Sequence, residues 1–411
     1  MSLQLQSTDP RRVEEGRADE GRRGLPRLTA LIFAVACGLS VANVYFAHPL
    51  LDAIAHDFAI DPASVGIVVT VTQIGYALGL FFIVPLGDLF DRRKLVATQA
   101  MLSALALVVV GLSPSAAVLL ASLAAVGLLA VVVQVLVAYA ADLAPPAERG
   151  RAVGTVTSGV ILGILLARFV SGLVADVAGW RSVYLVSAVL TLAMAAILWR
   201  VLPHHEAARP HTSYARLLGS VLRLFVEEPL LRVRAVLAML IFASFNVLWA
   251  PLVLPLAAPP FSLSHTEIGL FGLAGVVGAI GARPAGMLAD RGRGQLVTGF
   301  SLLLMAGAWL PIAFMGTSLW LLVLGIVMLD LAIQAVHVTN QSLIFARRPD
   351  ARSRLVGGYM VFYSLGSALG SIASTMIYGT WGWTGVCLLG AGIGLAALAF
   401  WAVTVRVGRQ L

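Results

Sequence analysis

From Leu28 to Val405 the chain is a succession of apolar runs near 20 residues long, separated by short polar connections. About 20 residues is the length a helix needs to cross the hydrocarbon core of a bilayer. Twelve such runs are expected, at 28–50, 65–86, 95–113, 117–142, 152–177 and 182–202, then at 232–257, 266–286, 296–315, 319–344, 355–378 and 384–405. They are called spans 1 to 12 below. With 59% hydrophobic and only 12% charged residues, the chain has too little polar surface to cover a water-soluble body. It reads as an all-α membrane protein.

The second six runs repeat the first six. Gly87-Asp88-Leu89-Phe90-Asp91-Arg92 returns as Gly286-Met287-Leu288-Ala289-Asp290-Arg291, 199 residues on. Arg149-Gly150-Arg151-Ala152-Val153-Gly154 returns as Arg352-Ser353-Arg354-Leu355-Val356-Gly357, offset by 203. Gly179-Trp180 with Gly382-Trp383, and Asn43-Val44 with Asn246-Val247, keep that offset. Matched landmarks in one order indicate a tandem duplication, the internal symmetry of many secondary transporters.

A Gly-x-Leu-x-Asp-Arg loop after the second apolar run, echoed after the eighth, resembles the major facilitator superfamily. The family pattern usually continues Arg-x-Gly-Arg-Lys, whereas this chain runs Arg92-Arg93-Lys94. The resemblance implies two pseudo-symmetric six-helix halves, with spans 1, 4, 7 and 10 around a central cavity. Spans 2, 5, 8 and 11 then form the seam between halves. It also implies a loop latch at Gly87, Asp91 and Arg92, with a worn copy at Gly286, Asp290 and Arg291.

Charge fixes the expected orientation. Arginines and the single lysine gather in alternate connections: Arg92-Arg93-Lys94, Arg149 and Arg151, Arg291 and Arg293, and Arg347-Arg348 with Arg352 and Arg354. The opposite side carries Asp52, Asp57 and Asp61 after the first run, and then short loops in which Arg181 is the charged residue. These two sides are called the basic and the acidic face. By the positive-inside rule the basic face is cytoplasmic, and so are both termini. The +8 net charge therefore points to anionic lipid head groups and not to nucleic acid. The expected organisation is a cytoplasmic tail at 1–27, a six-helix bundle at 28–202, a connection at 203–231, a second bundle at 232–405 and a tail at 406–411. The connection is partly amphipathic, with Tyr214, Leu217, Leu218, Val221, Leu222 and Phe225 at helical spacing. Its His204, His205 and His211 lack the accompanying ligands of a metal site. Cys37 and Cys387 sit inside apolar runs as small core residues.

An ionisable group in mid-membrane costs about 2.5–3.5 kcal/mol on insertion scales, so each needs a partner or a role. Arg168 in span 5 and Asp330 in span 10 are the two deep ones. Asp330, Gln334, His337 and Gln341 are spaced four, three and four apart and fall on one stripe of a helix. Such a stripe faces protein or water, either as a cavity lining or as hydrogen-bonding glue between helices. Asp330, His337 and Arg168 are the candidates for proton coupling, with Arg168 either paired to Asp330 or binding an anionic solute. Asn43, Tyr45, Gln134, Asn246, Trp249, Gln334 and Gln341 are the candidates for the substrate cavity. Glycines at 269, 272, 275, 278 and 281 in span 8, with Gly159 and Gly163 in span 5 and Gly366 and Gly370 in span 11, mark close helix packing.

No phosphate-binding Gly-Lys-Ser/Thr element is present, since Lys94 is followed by Leu95. No nucleophile constellation or cofactor motif stands out either, so an enzyme is not expected. The expected function is proton-coupled efflux of a small organic compound across a bacterial inner membrane, by a multi-pass and monomeric secondary transporter. The alternatives are an uptake symporter for an organic anion and, from another class, a non-transporting membrane sensor.

Overall fold

The computed structural model describes residues 27–145, 148–202, 213–347 and 352–405; the expected tails and His204, His205 and His211 lie outside them. Every regular element among the described residues is helical. Ten helical stretches there are long and apolar enough to cross a membrane. One of these, Arg354–Thr404, holds two crossings that meet at Gly382, and His265–Gly281 with its continuation Arg283–Leu288 supplies another. Ten, plus the second crossing of the long stretch, plus this one, gives the twelve expected spans.

The duplication is visible in the backbone. Span 5 (Arg149–Ala178) turns into span 6 (Trp180–Val201) at Gly179, where φ is 81° and ψ is 159°. Its symmetry mate Gly382 turns span 11 into span 12 with φ 60° and ψ −157°. That region of backbone space is essentially open to glycine alone. A tryptophan follows each turn; Trp180 bonds Asp57, and Trp383 bonds the Ile312 carbonyl.

Several crossings are broken along their length. Span 1 runs as Arg27–Tyr45, a 3-10 turn at His48–Leu50 and Leu51–Phe58. Pro49 explains the break, since proline has no N–H for the helical ladder. Span 7 breaks similarly between Pro229–Trp249 and Val253–Ala257, where Pro251 stands. Span 4 is split into Ala116–Leu129 and Val132–Leu143.

Small residues set how the helices meet, because apolar side chains gain no preference for one another over lipid tails. Gly159 and Gly163 lie against Ala34 and Gly38 of span 1, and Gly366 and Gly370 against Met239 and Ala243 of span 7. These glycines therefore pack within a half and not across the seam the resemblance implied for their spans. The seam is made by span 8 against span 5 and by span 2 against span 11. A Cβ on Gly269 would stand 2.5 Å from the Arg168 carbonyl oxygen.

The halves touch unevenly. At the acidic face the Gly66 N–H donates to Thr375 Oγ1 at 3.2 Å, Thr70 Oγ1 donates to the Ala368 carbonyl at 3.0 Å, and the Gly172 backbone meets the His265 carbonyl. Towards the basic face, Gly150 and Gly154 have nothing within 4 Å of an added Cβ, and for Gly357 the nearest atom is the Leu80 carbonyl at 4.0 Å. The amphipathic helix Tyr214–Glu227 crosses there. Tyr214 donates to the Phe82 carbonyl of the first half, while Phe225 rests on Phe362 and Gly358 of the second.

Candidate functional site

The broken helices and the glycine row of span 8 converge on Arg168 and Asp330. Arg168 is 2% exposed and Asp330 is 5% exposed. The Arg168 guanidinium lies 4.0 Å from the ring centre of Trp249, 5.3 Å from Phe245 and 5.4 Å from Tyr45. Cation–π attraction to such rings strengthens once water is excluded, to about 2 kcal/mol. Nε and Nη2 of Arg168 have no hydrogen-bond partner among the described residues.

Asp330 and the arginine both lie against the glycine row of span 8. A Cβ on Gly272 would touch the Arg168 side chain at 3.3 Å, whereas one on Gly275 would fall 2.2 Å from Asp330 Oδ2. Neighbouring glycines on one side of span 8 thus lie against the two groups, and only a bare backbone leaves room for the carboxyl. The ion pairs among the described residues do not include these two groups. The direct Arg168–Asp330 salt bridge expected as one alternative is absent from this conformation. Trp249 links them instead: its ring lies under the guanidinium, and its indole N–H is turned to Asp330 without a hydrogen bond of good geometry.

The remaining stripe of span 10 faces elsewhere in the second half. His337 Nδ1 meets the Tyr359 hydroxyl at 3.0 Å, its Nε2 meets Gln341 Nε2 at 3.3 Å, and Phe242 stands edge-on at 5.2 Å. Gln334 is half-buried between Asp330 and His337 along the helix. Asn246 donates to the Phe242 carbonyl at 3.2 Å, and its Oδ1 meets His48 Nε2 at 3.2 Å. Asn43 accepts from Ser187 of span 6 at 2.5 Å, and so turns into its own half. Gln134 donates to the Tyr76 hydroxyl at 3.5 Å, also within the first half. Tyr45 is hydrogen-bonded to Tyr363 of span 11 across the seam.

Two residues here carry no mark in the sequence. His48 is 2% exposed, stacks on Tyr45 with ring centres 5.6 Å apart, and joins span 1 to span 7 through Asn246. Only Pro49 beside it hints at a broken helix in the membrane. Tyr363 has no periodic or symmetric signal at all.

In the loop between spans 2 and 3, Asp91 caps the helix Arg92–Gly111 by accepting from the Arg93 N–H at 2.8 Å. Arg92 donates to the Gly87 carbonyl at 3.1 Å and pairs with Asp142 of span 4. In the second copy, Gly286 approaches Val338, Arg291 is exposed in a kinked segment, and the Asp290 side chain lies outside the described residues.

Twelve spans in two symmetric halves, with irregular backbone and buried charge along their length, define a polytopic membrane transporter. Comparison with known proteins gives the family. The model of the Major Facilitator Superfamily matches residues 31–255 and again 234–410, and the chain belongs to that superfamily. It is 48% identical over 371 residues to the putative uncharacterized transporter YgaY of Escherichia coli K12, covering 90% of this chain and 94% of that one. It is 27% identical to the inner membrane transport protein YnfM of the same strain, over 95% and 93% of the two chains. Among solved structures it resembles a bacterial homolog of the human lysosomal transporter Spinster in an inward-facing and occupied conformation. That likeness has a TM-score of 0.74 at 16% identity, over 92% of this chain and 96% of the other.

Proposed function

We propose that this chain is a proton-coupled exporter of small organic compounds in a bacterial inner membrane, working by alternating access around Arg168 and Asp330. Two rigid bodies, 28–202 and 232–405, rock about the central site, and 203–231 connects them. The basic face is cytoplasmic, which makes the present arrangement, joined at the acidic face and parted at the other, inward-facing. The relative with an inner-membrane name and the inward-facing structural neighbour are in keeping with this reading.

The observation that carries it is a buried cation and a buried acid brought to one place without an ion pair between them. A carboxyl so placed changes its charge when it takes a proton, and that alters its attraction to Arg168. The aromatic surfaces of Tyr45, Phe245 and Trp249 suit a flat or unsaturated solute. His337 lies on the same helix, seven residues away, as a second titratable group.

A second reading rests on the two unpartnered nitrogens of Arg168, which suit an organic anion held directly and taken up with a proton. Inverted vesicles separate the two. Adding candidate compounds should move protons in the unaltered protein, and Asp330→Asn should abolish that movement while solute exchange persists. Compound-driven proton flux surviving in Asp330→Asn removes the acid from coupling. Loss of anionic solutes alone in Arg168→Gln favours uptake.

A further inference from the structure

At the acidic face, well away from the central site, one histidine of the second half is held by carboxylates from two helices of the first. His265 opens span 8, one residue before the apolar run at 266–286. Its Nδ1 lies 2.9 Å from Asp176 Oδ1 and its Nε2 lies 3.1 Å from Asp52 Oδ1. A carboxylate only accepts hydrogen bonds, and a neutral imidazole has a single N–H. Both contacts are hydrogen bonds together only when the ring carries a second proton.

Asp176 is committed to the anionic form by its other duties. It accepts from the His265 N–H at 3.2 Å, from the Thr266 N–H at 2.8 Å and from Thr266 Oγ1 at 2.6 Å, capping the helix N-terminus. Ser264 and Glu267 complete that end as a reciprocal cap, the Ser264 N–H donating to Glu267 at 2.8 Å. The three side chains are 24% to 28% exposed, so water on this face reaches them.

We propose that His265, Asp52 and Asp176 form a proton-binding lock between the halves, in which protonation of His265 holds the acidic face shut. Asp52 and Asp176 face the ring from spans 1 and 5, while Glu267 of the same helix is engaged by the Ser264 N–H. Asp57 is already paired with Arg181, and His48, on the turn that also packs against span 8, has its nitrogens taken by Tyr45 and Asn246. With the lock closed, the hydrogen bond to Asp52 and the two negative charges push His265 up to about 9. Parting the halves removes both carboxylates and returns the ring to the ordinary imidazole value near ~6.5. The closed form therefore binds the proton more tightly. Its advantage is complete below pH ~6.5 and is lost as pH rises to about 9, a change of about two orders of magnitude in the closing equilibrium.

The test measures the distance between spin labels at Pro62→Cys and Thr317→Cys, exposed acidic-face positions on opposite halves of the full chain. The separated population should grow from pH 6.5 to 9. His265→Gln should erase that dependence, and His265→Lys, a fixed cation, should stay closed throughout. Asp52→Asn leaves the helix cap intact and should bring opening to a lower pH. A distance independent of pH in the unaltered protein, or one that follows the same pH course in His265→Gln, overturns the lock. The readout needs no substrate and does not depend on the direction of transport.

Discussion

Gly275 shows how little room the central acid has. The nearest atoms to an added Cβ there belong to the Asp330 carboxylate, and the next neighbour is Leu165 Cδ2 at 3.7 Å. Gly275→Ala therefore leaves helix packing almost untouched and displaces the carboxyl itself. We expect it to lower proton-coupled flux by about tenfold in vesicles, a barrier change of roughly 1.4 kcal/mol. Gly150→Ala, which meets nothing within 4 Å, serves as the control and should transport normally. Equal activity of the two variants would show that the position of the Asp330 carboxyl does not matter. The sequence marks Asp330 and Arg168 as lone charges in lipid. What it does not reveal is the glycine row lying against both of them, because the spacing of glycines in span 8 is the same whether they face a helix or a side chain. His48 escapes for a related reason. A histidine reads as polar punctuation at the end of an apolar run, and only the fold shows that the chain stays buried for another turn.

At the scale of the element, the hinges at Gly179 and Gly382 are the clearest inheritance of the duplication. Both are legible in sequence as a Gly-Trp pair at fixed offset. Their conformations are not, since glycine is used equally for close packing. An added Cβ at either meets no atom within 4 Å, so any loss on substitution comes from backbone strain alone. Gly179→Ala and Gly382→Ala should each destabilise the protein by about 1–3 kcal/mol, read as a lower unfolding temperature in detergent. Temperatures matching the parent would place these turns in an ordinary backbone region. The expected spans agree with the helices to within a few residues except that span 1 continues past 50 to Phe58, and the breaks in spans 1, 4 and 7 are absent from that reading. Pro49 and Pro251 announce two of them. The break in span 4, between Leu129 and Val132, falls in an unbroken apolar sequence with no proline or polar residue to signal it.

For the whole molecule, orientation is the property most open to direct measurement. Pro62 and Thr155 are both exposed, one in the acidic-face loop after span 1 and the other in the basic half of span 5. A membrane-impermeant thiol reagent applied to intact cells should modify Pro62→Cys and spare Thr155→Cys, and inverted vesicles should reverse the pattern. Modification of Thr155→Cys from outside would invert the assignment of the faces. Symmetry and charge alternation make the two halves and their number of crossings readable from sequence alone. Which end of the seam is closed is a property of one conformation among several, and no residue pattern encodes it.

The helix Tyr214–Glu227 has a mechanical consequence. It is 14 residues long, about 21 Å at 1.5 Å per residue, and is fastened to Phe82 at one end and to Phe362 at the other. A rod of fixed length moored to both bodies is a spacer: in the proposed alternating access, its moorings have to slip or tilt before the basic ends can change their separation. Its apolar side rests on the protein and Leu222 and Val226 are exposed, so the rod floats at the bilayer surface. In that proposed cycle, lipid packing around Leu222 and Val226 would bear on the same movement.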